Sequence, residues 1–190
     1  MRVMAERESF DAELPVIEAV RAGDRFAFGE LVRRHDRWIR GVVFGVLGGR
    51  DGLDDVVQQA WTLAWQRIGE LRDSSRWRPW LYRLARNAAI DAGRDATRRR
   101  SRFQALGSET SALDAVRASE GNPPGLDQYG EALAAVQGLP ALYREPFVLR
   151  HLSGWSYAEI ADVMGMPVDS VETRLVRARR LLRESLKGKV

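Results

Sequence analysis

Three groups of residues in this sequence combine types and spacings that can do chemistry. In "RWRPWLYRLARNAAID" (76–91) and just beyond it, Arg83, Asn87 and Arg94 fall in a row along one helical flank, with Arg76 on the same line. At 1.5 Å of rise per residue the row covers about 15 to 27 Å, the length of several nucleotides. Asparagine offers a donor and an acceptor together, and arginine offers charge and a stacking plane, so the row suits an unstacked base beside its phosphates. The simpler reading of Asn87 is a solvated surface amide.

The second group lies in "VDSVETRLVRARRLL" (168–182). At 100° per residue, Thr173, Val176, Arg177 and Arg180 lie opposite the apolar row of Val171, Leu175, Ala178 and Leu182. Facing a major groove, Arg177 could read guanine through a bidentate contact and Val176 could meet a thymine methyl, while Arg174 or Arg179 held flanking phosphates. In the third group Asp54 and Asp55 open a helix, and Gln58 and Gln59 follow one turn later beside Trp61 and Trp65. Such a face can dock a basic partner helix; the carboxylates could equally serve only as helix caps.

Charge points the same way. The 190 residues carry a net charge of only +4, yet "RDATRRRSR" (94–102) holds five arginines against one aspartate, and residues 172–189 hold seven Lys/Arg against two Glu. Surpluses of four and five there leave the remainder near −5, which is two polyanion-facing surfaces on an acidic body, or two solvated helix faces. Catalysis finds no support. The two histidines, His35 and His151, fall far apart in the chain, and His35 sits on the apolar side of its helix. "GVLGGRDG" lacks the Lys-Ser/Thr of a phosphate loop and follows a helix, so it reads as a hinge. With no cysteine there is neither a disulfide nor a thiolate metal site, and no cofactor or metal is expected. No apolar run approaches the length of a membrane span, which predicts a cytoplasmic protein without membrane insertion.

The elements that must hold these groups are helices throughout, because the apolar spacing is helical almost everywhere. "ELPVIEAVRAG" (13–23) predicts a short helix stopped by Gly23, and Asp24 is placed to cap the helix that follows. The helix from Leu53 is the third. The fourth carries Trp77, Trp80, Leu81, Leu84 and Ala88 on a core face, with Ser74 or Ser75 as its expected cap and Pro79 in its first turn. Periodicity fades over 103–127, which ends in a Pro-Pro turn and reads as a linker. After it, "SYAEIADVMG" and the long basic helix, broken at Gly165-Met166-Pro167, form a helix-turn-helix. The expected fold is all-α: two small helical domains, 10–102 and 128–190, joined by a flexible linker, the second containing the helix-turn-helix.

In this order, "GDRFAFGELVRRH", "LDDVVQQAW", "WLYRLARNAAID" and "LPALYREPFVLRHLSGWSYAEIADVMGMPVDSVETRLVRARRLL" give the chain a resemblance, over nearly its full length, to the extracytoplasmic-function group of bacterial sigma-70 factors. That resemblance implies a non-enzymatic initiation factor whose first domain binds core RNA polymerase and captures the melted minus-ten element, and whose second reads the minus-thirty-five element as duplex. By position, Asp54, Asp55 and Gln58 fall in the polymerase-binding helix. Asn87 and the Trp80 to Arg86 run, with Arg83 and Arg94, fall where the family grips minus-ten DNA. Thr173, Arg174, Val176, Arg177 and Arg180 fall on the recognition helix. The resemblance also implies an anti-sigma partner and a monomer when free of partners. Three positions depart from the family pattern: Gln59 replaces a usual Glu, Glu172 stands where Lys or Arg is common, and Pro146 places a potential kink in its helix. The competing function is a stand-alone helix-turn-helix regulator that binds an operator as a dimer.

Overall fold

The computed structural model describes residues 13–105 and 127–187, and within them every regular element is helical. The linker expected over 103–127 lies almost wholly outside these residues. Helix α1 (Leu14–Arg21) buries Ile17 and Val20. Asp24 then caps α2 (Arg25–Leu47), its carboxylate accepting from the backbone N–H of Phe26 at 2.8 Å and of Ala27 at 3.1 Å, as its position before an apolar-periodic run predicts. Helix α2 is the central element. One side packs on α3 (Leu53–Arg67) and α4 (Trp77–Ala105), burying Leu31, Ile39, Val42 and Val43.

The start of α4 differs from the expectation in its chemistry. Asp73, rather than Ser74 or Ser75, supplies the cap: its carboxylate accepts from the Ser75 N–H at 2.9 Å and sets a 3-10 turn, Ser74–Arg76, that feeds into α4. Ser74 is instead buried against α1, where it donates to Glu18 and accepts from Arg21. The core face of α4 is as expected at Trp77, Leu81 and Ala88, which are buried, while Trp80 and Leu84 are half-buried at its margin.

The second group of helices comprises α5 (Asp127–Gln137), α6 (Ala141–His151), α7 (Tyr157–Met164) and α8 (Val168–Lys187). Helix α6 continues through Pro146, whose ring is fully buried and which leaves one carbonyl a turn earlier without its helical donor. Ser156 and Glu159 close a reciprocal capping box at the start of α7. Gly165, at φ 64°, ends α7 in the left-handed region and turns the chain into α8, so the helix-turn-helix is present as its turn residues predict.

The two groups form one continuous core. Trp155, Ile160, Val163, Val171 and Leu175 of the second cluster with the buried residues of the first, and the rings of Trp38 and Trp155 lie 5.0 Å apart. Helix α6 rests on the remaining side of α2, and α7 rests on α4. Among the described residues no helix is long and apolar enough to cross a membrane.

Candidate nucleic-acid interface

Helix α8 buries Val171, Leu175 and Ala178 against α6 and α7 and turns the opposite face to solvent. Thr173, Val176, Arg177 and Arg180 are all exposed, and Val176, an apolar side chain, is 55% exposed. The Thr173 hydroxyl donates to the Asp169 carbonyl at 2.8 Å, which restrains its rotamer. Arg180 pairs loosely with Glu184 one turn on, at 3.4 Å. Arg177 has no ion-pair or hydrogen-bond partner among the described residues. This is a preformed rod with one apolar and three polar groups on a face of groove-reading width. Arg174 sits apart from them, half-buried at the edge of the cleft between α8 and α4.

Helix α4 presents the other row. Arg83, Asn87 and Arg94 are exposed, and Arg76 is exposed in line with them. Arg94 has only a loose contact with Asp91, at 3.8 Å, and Arg83 and Asn87 have no polar partner among the described residues. Arg83, Asn87, Arg86, Tyr82 and Arg174 line one open cleft of about 670 Å³. The structure thus brings Arg76, Arg83 and Asn87 of the α4 row together with one member of the α8 set, while Arg94 lines a separate cleft and Arg177 and Arg180 line neither. Arg86 is not free: its Nε and one terminal nitrogen donate to the two oxygens of Glu145, at 2.7 and 3.1 Å. That hydrogen bond raises the already high Arg86 pKa, so the guanidinium is charged at any relevant pH. The Tyr82 hydroxyl donates to the same carboxylate at 3.1 Å; burial, then the nearby Glu145 charge, push its pKa up, so it stays a neutral donor.

At the start of α3 the cap is Gly52, with no side-chain hydrogen bond, so Asp54 and Asp55 are not caps. Both are exposed in the first turn, where their charge favours the helix N-terminus. Asp54 is in contact with Arg40, which also binds Asp36 at 2.5 Å, while Asp36 in turn accepts from the Trp61 indole at 3.0 Å. Gln58 lies exposed beside a shallow apolar cleft lined by Phe28, Trp61 and Trp65. Trp61 is core, as its spacing predicts, and Trp65 is half-buried with its ring 5.0 Å from Phe28.

His35 is a packed histidine, buried with its ring 4.7 Å from Trp77 and its Nε2 3.1 Å from Glu13 Oε1. Among the described residues no group of His, Asp and Glu has the arrangement of a metal site. The residues that sequence reasoning missed are Arg144, Glu145, Arg78 and Asp162, all of which join the two helical groups. The signal available for them was the spacing of Gly41 and Gly45 on α2, small residues four apart on an otherwise bulky apolar face.

Comparisons with known proteins follow the same division of the chain. The Sigma-70 region 2 family model matches residues 31–99, and the Sigma-70 region 4 model matches residues 129–182. The chain is 32% identical over 175 residues to the ECF RNA polymerase sigma-E factor of Escherichia coli, covering 88% of this chain and 90% of the relative. It is 30% identical over 180 residues to the RNA polymerase sigma-H factor of Pseudomonas aeruginosa, covering 90% and 92%. Among solved structures, CnrH in complex with the cytosolic domain of CnrY is similar at TM-score 0.66 and 26% identity, covering 94% of this chain and 99% of that one. The sigma factor RpoE in complex with the anti-sigma factor NepR from Bartonella quintana shares the fold at TM-score 0.64 and 24% identity, covering 84% and 96%.

Proposed function

The chain belongs to the extracytoplasmic-function sigma factors of the sigma-70 family, and from that premise we propose how its residues divide the work of starting transcription. As an RNA polymerase sigma factor it directs initiation and is not itself an enzyme; bond formation belongs to the core polymerase. Residues 10–102 act as the polymerase-binding and minus-ten domain, 103–127 as linker, and 128–190 as the minus-thirty-five domain. Asp54, Asp55 and Gln58 contact the core enzyme, since they are exposed, lie on one helix start and do not serve as its cap. Trp80, Arg83, Arg86, Asn87 and Arg94 hold the minus-ten strand once it is single-stranded, with Asn87 reading a base and the arginines holding phosphate or stacking. Thr173, Arg174, Val176, Arg177 and Arg180 address the minus-thirty-five duplex. The factor works in the cytoplasm as a monomer that is handed between core polymerase and an anti-sigma protein, as the complexes of the similar structures suggest.

The observation that carries this reading is the exposed placement, without a polar partner among the described residues, of Arg83 and Asn87 on α4 in the region 2 match and of Arg177 on α8 in the region 4 match. Run-off transcription on a genomic fragment library, with purified bacterial core polymerase and with or without this protein, tests it. Discrete new start sites with two shared upstream elements are expected. A protein that shifted duplex DNA alone, as a dimer, and gave no new transcripts would overturn the reading in favour of an operator-binding regulator.

A further inference from the structure

The exposed face of α8 changes chemistry along its length. Asp169, Glu172 and Thr173 occupy its first half and Arg177 and Arg180 its second, with Val176 between them. Glu172 is exposed, lies beyond the first turn where a carboxylate favours the helix N-terminus, and has no polar partner among the described residues. Its neighbour Thr173 has its hydroxyl hydrogen committed to the Asp169 carbonyl at 2.8 Å, so toward a ligand Oγ1 acts only as an acceptor. The face is therefore acceptor-only at Glu172 and Thr173 and donor-only at Arg177 and Arg180.

A carboxylate brought into a major groove is repelled by the phosphates along both walls, and only the exocyclic amines of the bases attract it. Two bases present an amine there, cytosine through N4 and adenine through N6. Adenine sets its N7 lone pair beside the amine, where it repels the second carboxylate oxygen, whereas cytosine has no acceptor beside N4 on its own edge. A lone carboxylate on this face therefore favours cytosine. Arg177 lies five residues further on. That separation is about 7.5 Å along the helix, or about two base-pair steps.

We propose that Glu172 determines specificity by accepting from the N4 amine of one cytosine in the minus-thirty-five duplex, within about two base pairs of the base read by Arg177. The proposal rests on the reading of α8 as the minus-thirty-five helix and adds to it the identity of one base.

The full-length protein, assembled with purified core polymerase, is bound to promoter fragments randomised across the minus-thirty-five element mapped by run-off, and the bound fragments are sequenced. The native protein is expected to select cytosine at one position by about tenfold. Glu172→Ala should erase that preference and leave the preferences at other positions in place. Glu172→Gln should move it to adenine, whose N6 and N7 match the acceptor and donor of an amide. A folding defect creates no new base preference, so that switch reports the contact itself. Unchanged selection in Glu172→Ala would overturn the proposal, as would a uniform tightening on every sequence, which would make the carboxylate only a repeller of phosphate. Arg177→Ala scores the underlying reading separately. If selection changes in Arg177→Ala but not in Glu172→Ala, only the cytosine contact falls; if it changes in neither, the reading of α8 falls with it.

Discussion

Single side chains differ here in what holds them, and that difference predicts what each substitution does. Arg177 is exposed, carries no partner among the described residues and projects from a helix fixed by Val171, Leu175 and Ala178 beneath it. Arg177→Ala therefore leaves folding untouched and removes one contact, worth about 1 to 3 kcal/mol if it is bidentate to a base. Holoenzyme binding to promoter variants, scored base pair by base pair, should show that loss at one minus-thirty-five position only. An equal loss on every promoter would make Arg177 a phosphate contact. The sequence was sufficient to place Arg177, Asn87 and Arg83 at the exposed surface because exposure on a helix follows from spacing alone. It was insufficient for Arg86. That residue lies only 100° from Asn87 on the same helix, but its environment is decided by Glu145, 59 positions away in sequence, and no periodicity reports which carboxylate will arrive there.

Among the elements, those whose ends are set by local chemistry were the legible ones. Asp24 and Gly165 each act within three residues of themselves, so their effect on the chain can be read where they stand. The Asp24 cap satisfies two N–H groups that α2 cannot satisfy internally, and α2 is the element on which α3, α4 and α6 all pack. Asp24→Ala should accordingly cost about 1 kcal/mol, or a melting temperature lower by about 2 to 4 °C, with Asp24→Ser nearly restoring it. Thermal unfolding followed by circular dichroism checks this, and an unchanged midpoint for Asp24→Ala would mean that the cap is replaced by water. The start of α4 was less legible because Asp73, Ser74 and Ser75 are all competent caps in adjacent positions. The choice among them was made by tertiary structure: Ser74 is drawn into the Glu18–Arg21 contact on α1, leaving Asp73 to bind Ser75.

Across both helical groups, one polar chain, buried at Glu13 and His35 and half-buried at Arg78 and Glu159, runs from the start of α1 to the helix-turn-helix. Glu13 lies beside His35 of α2 and accepts from Arg78 of α4 at 3.2 Å, and Arg78 reaches on to Glu159 in the capping box of α7. Burial alone would raise the Glu13 pKa, but the close polar contact with His35 and the Arg78 guanidinium outweigh it and hold the carboxyl below its usual value of 4.5. An acid whose pKa is lower folded than unfolded binds fewer protons in the native state, so it contributes stability that is fully present above the unfolded pKa and is lost as pH falls through the folded one. The predicted signature is a difference between two curves. Denaturant titrations of the native chain and of Glu13→Gln, repeated from pH 7 to pH 3, should show the variant less stable at neutral pH, with the gap constant down to about pH 5 and closing below it. A gap that held constant to pH 3 would mean that Glu13 acts through packing and hydrogen bonding alone. Because Arg78 also serves the contact with region 4, loss of the Glu13 charge should be felt across the molecule: the separation between spin labels attached at Arg37→Cys on α2 and Arg183→Cys on α8 should broaden when Glu13→Gln is added at pH 7, and in the labelled chain with Glu13 retained as the pH is lowered through the same range.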